Sequence, residues 1–168
     1  MIKIFVRIFV AAGILALITV IFLKYKGNRE SAERIALMPD FTFVLVPAGA
    51  VNTISLPAQT TFVIFFNPGC EHCEYEGREL AARRSEFAAS NVLMVSSAPR
   101  DSIMNYRRRH GFDDIPNFYT ACDSAYASLA FFDVKGIPTV FIYDTERKLV
   151  KTFRGEVKID ALLPFVYQ

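Results

Sequence analysis

TTFVIFFNPGCEHC, residues 60–73, is the stretch of sequence that decides the fold. Its first seven residues are apolar or strand-forming, a pattern that predicts a central strand buried on both faces. An Asn-Pro-Gly turn at residues 67–69 ends this strand sharply. Apolar and charged residues then recur at helical spacing over residues 70–88. The stretch therefore predicts a strand, a tight turn and a helix that begins with Cys70.

Further strands and helices are predicted on both sides of this unit. Segments rich in β-branched and aromatic residues predict strands, and amphipathic segments predict helices. Predicted strands occupy residues 41–46, 91–96, 117–122, 139–143 and 148–153, and predicted helices occupy residues 101–110, 124–132 and 159–167. Alternating strands and helices indicate a parallel core with right-handed crossovers, and the final hairpin adds antiparallel strands. The predicted fold class is α/β, with a mixed central sheet flanked by helices.

The composition fits one folded domain and does not suggest a nucleic-acid partner. The chain has 168 residues, 52% of them apolar, and a formal net charge of +2. A domain of this size can bury a single core. The basic run at residues 107–110 lies at the end of a predicted helix, where positive charge complements the helix dipole and is usually solvated. We therefore expect no binding of nucleic acid.

Residues 4–23 are almost wholly apolar and predict one N-terminal transmembrane helix. A helix rises 1.5 Å per residue, so about 20 residues span a hydrocarbon layer of about 30 Å. No cleavage site of the A-x-A kind follows, which favours an uncleaved anchor. The predicted organisation is an anchor at residues 1–24, a tether at 25–39 and a folded domain at 40–168. Basic residues flank the anchor on both sides, so charge alone does not decide its orientation.

Cys70 and Cys73 form a close pair at the start of the predicted helix. At this spacing both side chains lie on one helix face, within reach of an intramolecular disulfide. A helix N-terminus presents unpaired N–H groups and about half a positive charge, which stabilise a thiolate. We therefore expect Cys70 to be the attacking sulfur, and Cys73, one turn deeper, to resolve the mixed disulfide.

The residues around the pair leave two questions open. His72, when protonated, favours the reduced pair, and Glu71 opposes it, so the motif does not decide the direction of electron flow. A zinc half-site or an inert buried pair are the alternatives to redox chemistry. Zinc normally takes four ligands, and the chain offers only His110 and Cys122 besides the motif, so no metal or other cofactor is expected. We expect Cys122 to be a small core residue, with a regulatory thiol as the alternative.

Two separate motifs resemble the thioredoxin-like superfamily. Residues 65–73, placed between a buried strand and a helix, resemble the active-site turn of thioredoxins. Gly136-Ile137-Pro138-Thr139, before an apolar strand, resembles their cis-proline loop. The resemblance covers about residues 41–168 and implies that Pro138 is cis and faces the cysteine pair. It also implies that the backbone of Ile137 binds an extended segment of the substrate.

Within this superfamily the chain most resembles the membrane-tethered TlpA/ResA-like branch, which includes reductases of cytochrome c maturation. That branch often carries Cys-x-x-Cys-x-x-Glu, and Glu76 matches its glutamate. The resemblance implies that Glu76 exchanges a proton with the deeper thiol; a solvated helix glutamate is the alternative. Two positions depart from thioredoxins: Gly69 replaces the usual Trp, and Ile64 replaces a buried acid.

The resemblance implies a thiol-disulfide oxidoreductase, acting as a reductase on protein thiols and disulfides. It also implies a monomer anchored in the membrane, with its domain in the bacterial periplasm and a membrane electron donor as partner. The rival hypothesis is a non-catalytic, membrane-anchored module that binds a partner through the Pro138 face. A peroxide-reducing enzyme is a weaker alternative, because the Thr-x-x-Cys pattern that it needs is absent at Cys70.

Overall fold

A computed structural model describes the backbone of residues 2–167 and the side chains of residues 12–167, in two compact units. The first unit, Met1–Arg34, consists of one helix, α1 (Ile2–Arg34). Among the described residues, no helix has the length and apolar character needed to cross a membrane. The predicted anchor at residues 4–23 begins where the side chains lie outside the described part of the chain. It therefore stays a prediction.

The second unit begins at Ile35, before the predicted domain boundary at residue 40. Helix α1 continues into the segment predicted as a polar tether and ends at Arg34. The four residues after it join the folded unit: Ile35 and Met38 are each 5% exposed and pack in its core. The N–H of Met38 also donates to the carbonyl of Arg147 at 2.8 Å. Burial of these two apolar side chains explains the earlier boundary.

The second unit combines a seven-stranded sheet with four α-helices among the described residues. Its elements are β1 (Thr42–Leu45), β2 (Ala50–Asn52), β3 (Thr60–Phe65), α2 (Glu71–Ala82), β4 (Ser90–Ser96), α3 (Arg100–Arg109), β5 (Phe118–Cys122), α4 (Ala127–Phe131), β6 (Thr139–Tyr143), β7 (Leu149–Arg154) and α5 (Ile159–Leu162). The strand order is β2-β1-β5-β4-β3-β6-β7. Strands β3, β4 and β5 are parallel, and the other pairs are antiparallel. The predicted mixed α/β sheet is confirmed.

Four details differ from the prediction. Helix α4, predicted over residues 124–132, spans only Ala127–Phe131. Strand β2 was not expected, because the sequence around residues 47–50 indicates a turn; the short strand after that turn pairs with β1 as a hairpin. Helix α2 ends at Ala82, and its last predicted turn is a 3₁₀ helix, Arg84–Phe87. The terminal helix likewise ends early, at Leu162, and continues as the 3₁₀ helix Leu163–Phe165.

Strand β3 lies in the middle of the sheet and is buried on both faces, as predicted. Phe62 and Ile64 contribute to the core cluster on one face, together with residues of α2 and α3. Val63 and Phe65 contribute to a second cluster on the opposite face. This alternation follows from the two-residue period of a strand. The strand thereby carries the chain from the centre of the molecule directly to the turn before Cys70.

A contact between α2 and α3 fixes the cysteine-bearing turn of α2. The hydroxyl of Tyr106, which is 1% exposed, donates to the carbonyl of Cys73 at 2.9 Å. Gly77 makes this approach possible, because a Cβ at that position would lie 1.9 Å from the Tyr106 oxygen. Such a separation is impossible for real atoms. The absence of a side chain at Gly77 therefore lets α3 pack against the first turns of α2.

We expect Gly77→Ala to lower the free energy of unfolding by about 1–3 kcal/mol, because the new methyl group overpacks the α2–α3 contact. Urea denaturation monitored by circular dichroism measures the change. Gly136→Ala is the matched control: its Cβ would meet nothing within 4 Å, so we expect a change within about 0.5 kcal/mol. Equal effects of the two substitutions would contradict the proposed packing constraint.

Candidate active site

The turn after β3 places Cys70 immediately before the first residue of α2. The side-chain oxygen of Asn67 accepts a hydrogen bond from the N–H of Gly69 at 2.8 Å, and the carbonyl of Asn67 accepts from the N–H of Cys70 at 3.0 Å. Cys70 is the N-cap residue of α2, and its side chain makes no capping hydrogen bond. The N–H groups of the first helical turn lack helical acceptors, so the half-buried Cys70 thiol lies where a thiolate is stabilised.

Cys73 lies one turn further along α2 and is only 1% exposed. Both cysteines are free thiols in this structure. Burial is the main reason that the pKa of Cys73 is raised, and its hydrogen bond to Cys70 raises it further. Negative charge on Cys70 and Glu76 acts in the same direction, while the backbone of Asn67 opposes the shift. The structure thus separates an accessible thiol from a protected one that holds its proton firmly.

Glu76 is buried rather than solvated, with 3% of its surface exposed. Neither of its carboxylate oxygens has a hydrogen-bond partner among the described residues. Burial raises the pKa of Glu76 from 4.5 to about 7, and the negative charge of Glu156 adds to this effect. The backbone of Val157 faces the carboxylate and opposes the shift, although no complete hydrogen bond forms. A carboxyl group of this kind can hold or release a proton near neutral pH.

His72 has a partner that no sequence pattern pointed to. Its Nδ1 lies 2.6 Å from Oε2 of Glu156, a residue 84 positions later in the chain. The side chains are 69% and 39% exposed, so this contact lies at the surface. Glu156 offsets positive charge on His72 beside the cysteine pair. Glu71, the other residue between the two cysteines, is exposed.

The cis-proline loop completes the site. The Ile137–Pro138 peptide bond is cis, as the resemblance implied. Pro138 lines the same small cavity as Cys73 and Glu76, so the loop faces the buried end of the pair. Ile137 lies at the edge of a neighbouring groove of ≈ 580 Å³, which also borders the turn before Cys70. The structure therefore brings together all six residues predicted for the site: Cys70, His72, Cys73, Glu76, Ile137 and Pro138.

Cys122 is not part of this arrangement. It lies at the end of β5, is half-buried and packs against the core, in agreement with its expected place as a small core residue. Its Sγ is 3.8 Å from the carbonyl oxygen of Ala98, a weak hydrogen-bond contact. Among the described residues, no three His, Cys, Asp or Glu side chains are grouped in a way that could hold a metal ion.

Comparison with known proteins agrees with this geometry. Residues 36–152, more than half of the chain, match the AhpC/TSA family. The chain belongs to the AhpC/TSA family. Over 158 residues it is 25% identical to the thiol-disulfide oxidoreductase ResA of Bacillus subtilis, covering 89% of this chain and 86% of that protein. The expected resemblance to the ResA-like branch of the thioredoxin-like superfamily is confirmed.

Solved structures share the fold. A secreted disulfide oxidoreductase of Mycobacterium tuberculosis, homologous to Escherichia coli DsbE, has a TM-score of 0.68 at 17% identity, covering 80% of this chain and 96% of that one. StoA of Bacillus subtilis has a TM-score of 0.62 at 16% identity, covering 77% and 98%. Peroxiredoxin Q of Xanthomonas campestris has a TM-score of 0.64 at 22% identity, covering 76% and 89%. At these identities the matches establish the thioredoxin-like fold alone.

The raised pKa of Glu76 predicts a specific dependence of stability on pH. The folded protein holds the Glu76 proton more firmly than the unfolded chain, so its stabilising effect is complete below pH 4.5 and is lost as the pH rises through about 7. The loss amounts to about 3 kcal/mol. We expect Glu76→Gln to remove this component, so that the variant loses less stability than the wild type between pH 4.5 and 8.

Urea denaturation of both proteins at several pH values across this range measures the difference. Glu79→Gln is the matched control, because Glu79 lies on the same helix but is only half-buried. An unchanged pH dependence in Glu76→Gln would show that the carboxyl group is not protonated more readily in the folded state.

Proposed function

We propose that this protein is a thiol-disulfide oxidoreductase that reduces disulfides in other proteins. One observation supports the proposal, the arrangement of two thiols and a carboxyl group along α2. The half-exposed thiol of Cys70 lies at the N-terminus of the helix, and the buried thiol of Cys73 lies one turn further along. Cys73 is close to the carboxyl group of Glu76, which has no hydrogen-bond partner among the described residues. Membership of the AhpC/TSA family and the identity to ResA agree with this chemistry.

The first step is attack by the Cys70 thiolate on a disulfide of the substrate. The substrate S–S bond breaks, a mixed disulfide forms between Cys70 and one substrate sulfur, and the other substrate sulfur leaves as a thiolate and takes up a proton. The backbone of Ile137, before the cis Pro138, would bind the extended substrate chain beside Cys70. The adjoining groove gives the flanking substrate residues a place to lie.

The second step is attack by Cys73 on the Cys70 sulfur. The mixed disulfide removes the thiol and the charge of Cys70, two of the causes that raise the pKa of Cys73. Glu76, as a carboxylate, can then accept the Cys73 proton. The new Cys70–Cys73 bond releases the second substrate sulfur as a thiolate, so the substrate gains two electrons and the enzyme pair is oxidised. A membrane-bound dithiol donor would restore the reduced pair.

The charges around the pair support the reductase direction. A positive charge on His72 would stabilise the thiolate and make the pair more oxidising, but Glu156 offsets that charge at 2.6 Å. Glu71, exposed in the first turn of α2, is a further negative charge near the pair. Negative surroundings disfavour a thiolate, and therefore favour the disulfide form and a low reduction potential.

We further propose that the folded domain acts as a monomer outside the cytoplasm, in the bacterial periplasm, held to the membrane by residues 4–23. The length and apolar character of this segment in the sequence support the anchor. A free-thiol pair that serves protein disulfides is also most useful in a compartment where disulfides form and persist.

Substitution of each cysteine tests the proposed roles. We expect Cys70→Ser to abolish reduction of insulin disulfides by reduced protein, because the attacking sulfur is lost. We expect Cys73→Ser to accumulate mixed disulfides with substrate, visible on non-reducing gels, because no thiol resolves them. Cys122→Ser is the control and should retain activity. Full activity of Cys70→Ser would contradict the role of Cys70 as the attacking sulfur, and absence of activity in the wild type would favour a non-catalytic binding module.

The redox state in cells tests direction and compartment together. We expect a Cys70–Cys73 reduction potential below about −200 mV, in the range of reducing thioredoxin-like proteins. In cells with a permeabilised outer membrane, a maleimide that cannot cross the inner membrane should label Cys70. A potential near about −120 mV would indicate an oxidase, and protection from the reagent until the cells are lysed would place the domain in the cytoplasm.

A further inference from the structure

Three consecutive residues after β7 each contact a different part of the site. The N–H of Gly155 donates to the carbonyl of Pro138 at 2.8 Å. The carboxylate of Glu156 binds His72 at 2.6 Å. The backbone of Val157, whose residue is 8% exposed, faces the carboxyl group of Glu76. Residues 155–157 therefore link the cis-proline loop, the middle of the cysteine motif and the buried acid.

This segment lies beside the face of α2 that carries Cys73 and Glu76. Val157 packs in the same core cluster as Cys73, so it contributes to the burial of the helix face below the motif. Gly155 is held by its backbone bond to Pro138 and Val157 by burial of its side chain, whereas Glu156 is held by a contact between two partly exposed side chains. Among the residues that the structure describes, the His72–Glu156 contact is the one ion pair between this segment and α2.

The charge of Glu156 also acts on the site. The negative charge of Glu156 disfavours ionisation of Glu76. The titratable groups that face this region are Glu156 itself, three residues of α2 (His72, Cys73 and Glu76) and, from α3, Tyr106. The nearest charged residue on α5, Asp160, is turned to Arg83 and forms an ion pair with it.

We propose that Glu156 is a positioning residue of the dithiol site: by binding His72 it holds residues 155–157 closed over Glu76 and keeps water away from that carboxyl group. The inference rests on the proposed function, since shielding of Glu76 matters only if Glu76 serves Cys73. When the contact breaks, water reaches Glu76 and the negative charge of Glu156 moves away. Both changes favour the ionised carboxylate.

Three substitutions separate the contact from the charge. Glu156→Gln removes the charge but keeps an oxygen that can accept a hydrogen bond from His72. Glu156→Ala removes both the charge and the contact. His72→Ala removes the contact and leaves the charge. If the contact closes the segment, Glu156→Ala lowers the titration midpoint of Glu76 more than Glu156→Gln does. His72→Ala lowers it as well.

The experiment follows the Glu76 carboxyl group directly in the full chain, by the infrared carbonyl band that Glu76→Gln removes. We expect its titration midpoint to fall by about one pH unit or more in Glu156→Ala and His72→Ala. Asp160→Asn is the matched control, because it neutralises an ion-paired carboxylate four residues later without touching His72, and its midpoint should equal that of the wild type.

The rate of mixed-disulfide resolution gives the functional measurement. We expect the pH profile of Cys73 attack to shift to lower pH in Glu156→Ala by the same amount as the Glu76 midpoint. Unchanged midpoints in both Glu156→Ala and His72→Ala would overturn the inference, even if the wild type reduces disulfides normally. If Glu156→Ala fails to fold, His72→Ala and Glu156→Gln still test the inference. It is overturned if both variants have the same Glu76 midpoint as the wild type. Failure of the wild type to form a Cys70–Cys73 disulfide would instead refute the proposed function.

Discussion

The whole site depends on the direct passage from the buried strand β3 into helix α2. Strand β3 is buried on both faces, and the chain reaches solvent in the turn that follows, where Asn67 and Gly69 are exposed. A helix that starts there presents its first residue to solvent and directs the following turns inward. Cys70, Cys73 and Glu76, spaced three residues apart, lie along one face of α2 and pass from half-exposed to fully buried.

Burial of the Glu76 carboxyl group costs free energy when the group is ionised. An ionised carboxylate without hydrogen bonds is strongly disfavoured in a protein core, so Glu76 responds by holding its proton up to about pH 7. Thioredoxins bury an acidic residue in the strand, and here that position is the apolar Ile64, which lines the same cavity as Glu76. In this protein the buried acidic group therefore lies on helix α2, whereas strand β3 has an apolar residue at the corresponding position.

Much of the fold and of the site could be predicted because the deciding signals are local. The apolar run of β3, the Asn-Pro-Gly turn and the cysteine spacing lie within 14 consecutive residues, and the cis Pro138 belongs to a short motif of its own. Strand β2 escaped prediction because its three residues are too few to show a periodic pattern. It forms only because the preceding turn returns the chain to β1.

The parts of the site that could not be predicted depend on contacts between distant segments. Glu76 has Glu74 and Glu79 as neighbours in sequence, and only the packing of the sheet against α2 shows which of them is buried. Glu156 meets His72 because the β6–β7 hairpin returns the chain to the start of α2, and no spacing encodes that return. Likewise, Tyr106 is one of seven tyrosines, and nothing in its local sequence distinguishes it.

The bond between Tyr106 and the carbonyl of Cys73 has a consequence for local opening. It lies inside the packed contact of α2 and α3, where Gly77 leaves no free space, so its loss requires separation of two helices. Proteins exchange amide hydrogens slowly where opening needs such global unfolding and quickly where a surface segment opens alone. On its α3 side the dithiol pair is therefore fixed by a contact that opens only when two helices separate, which predicts slow amide exchange there.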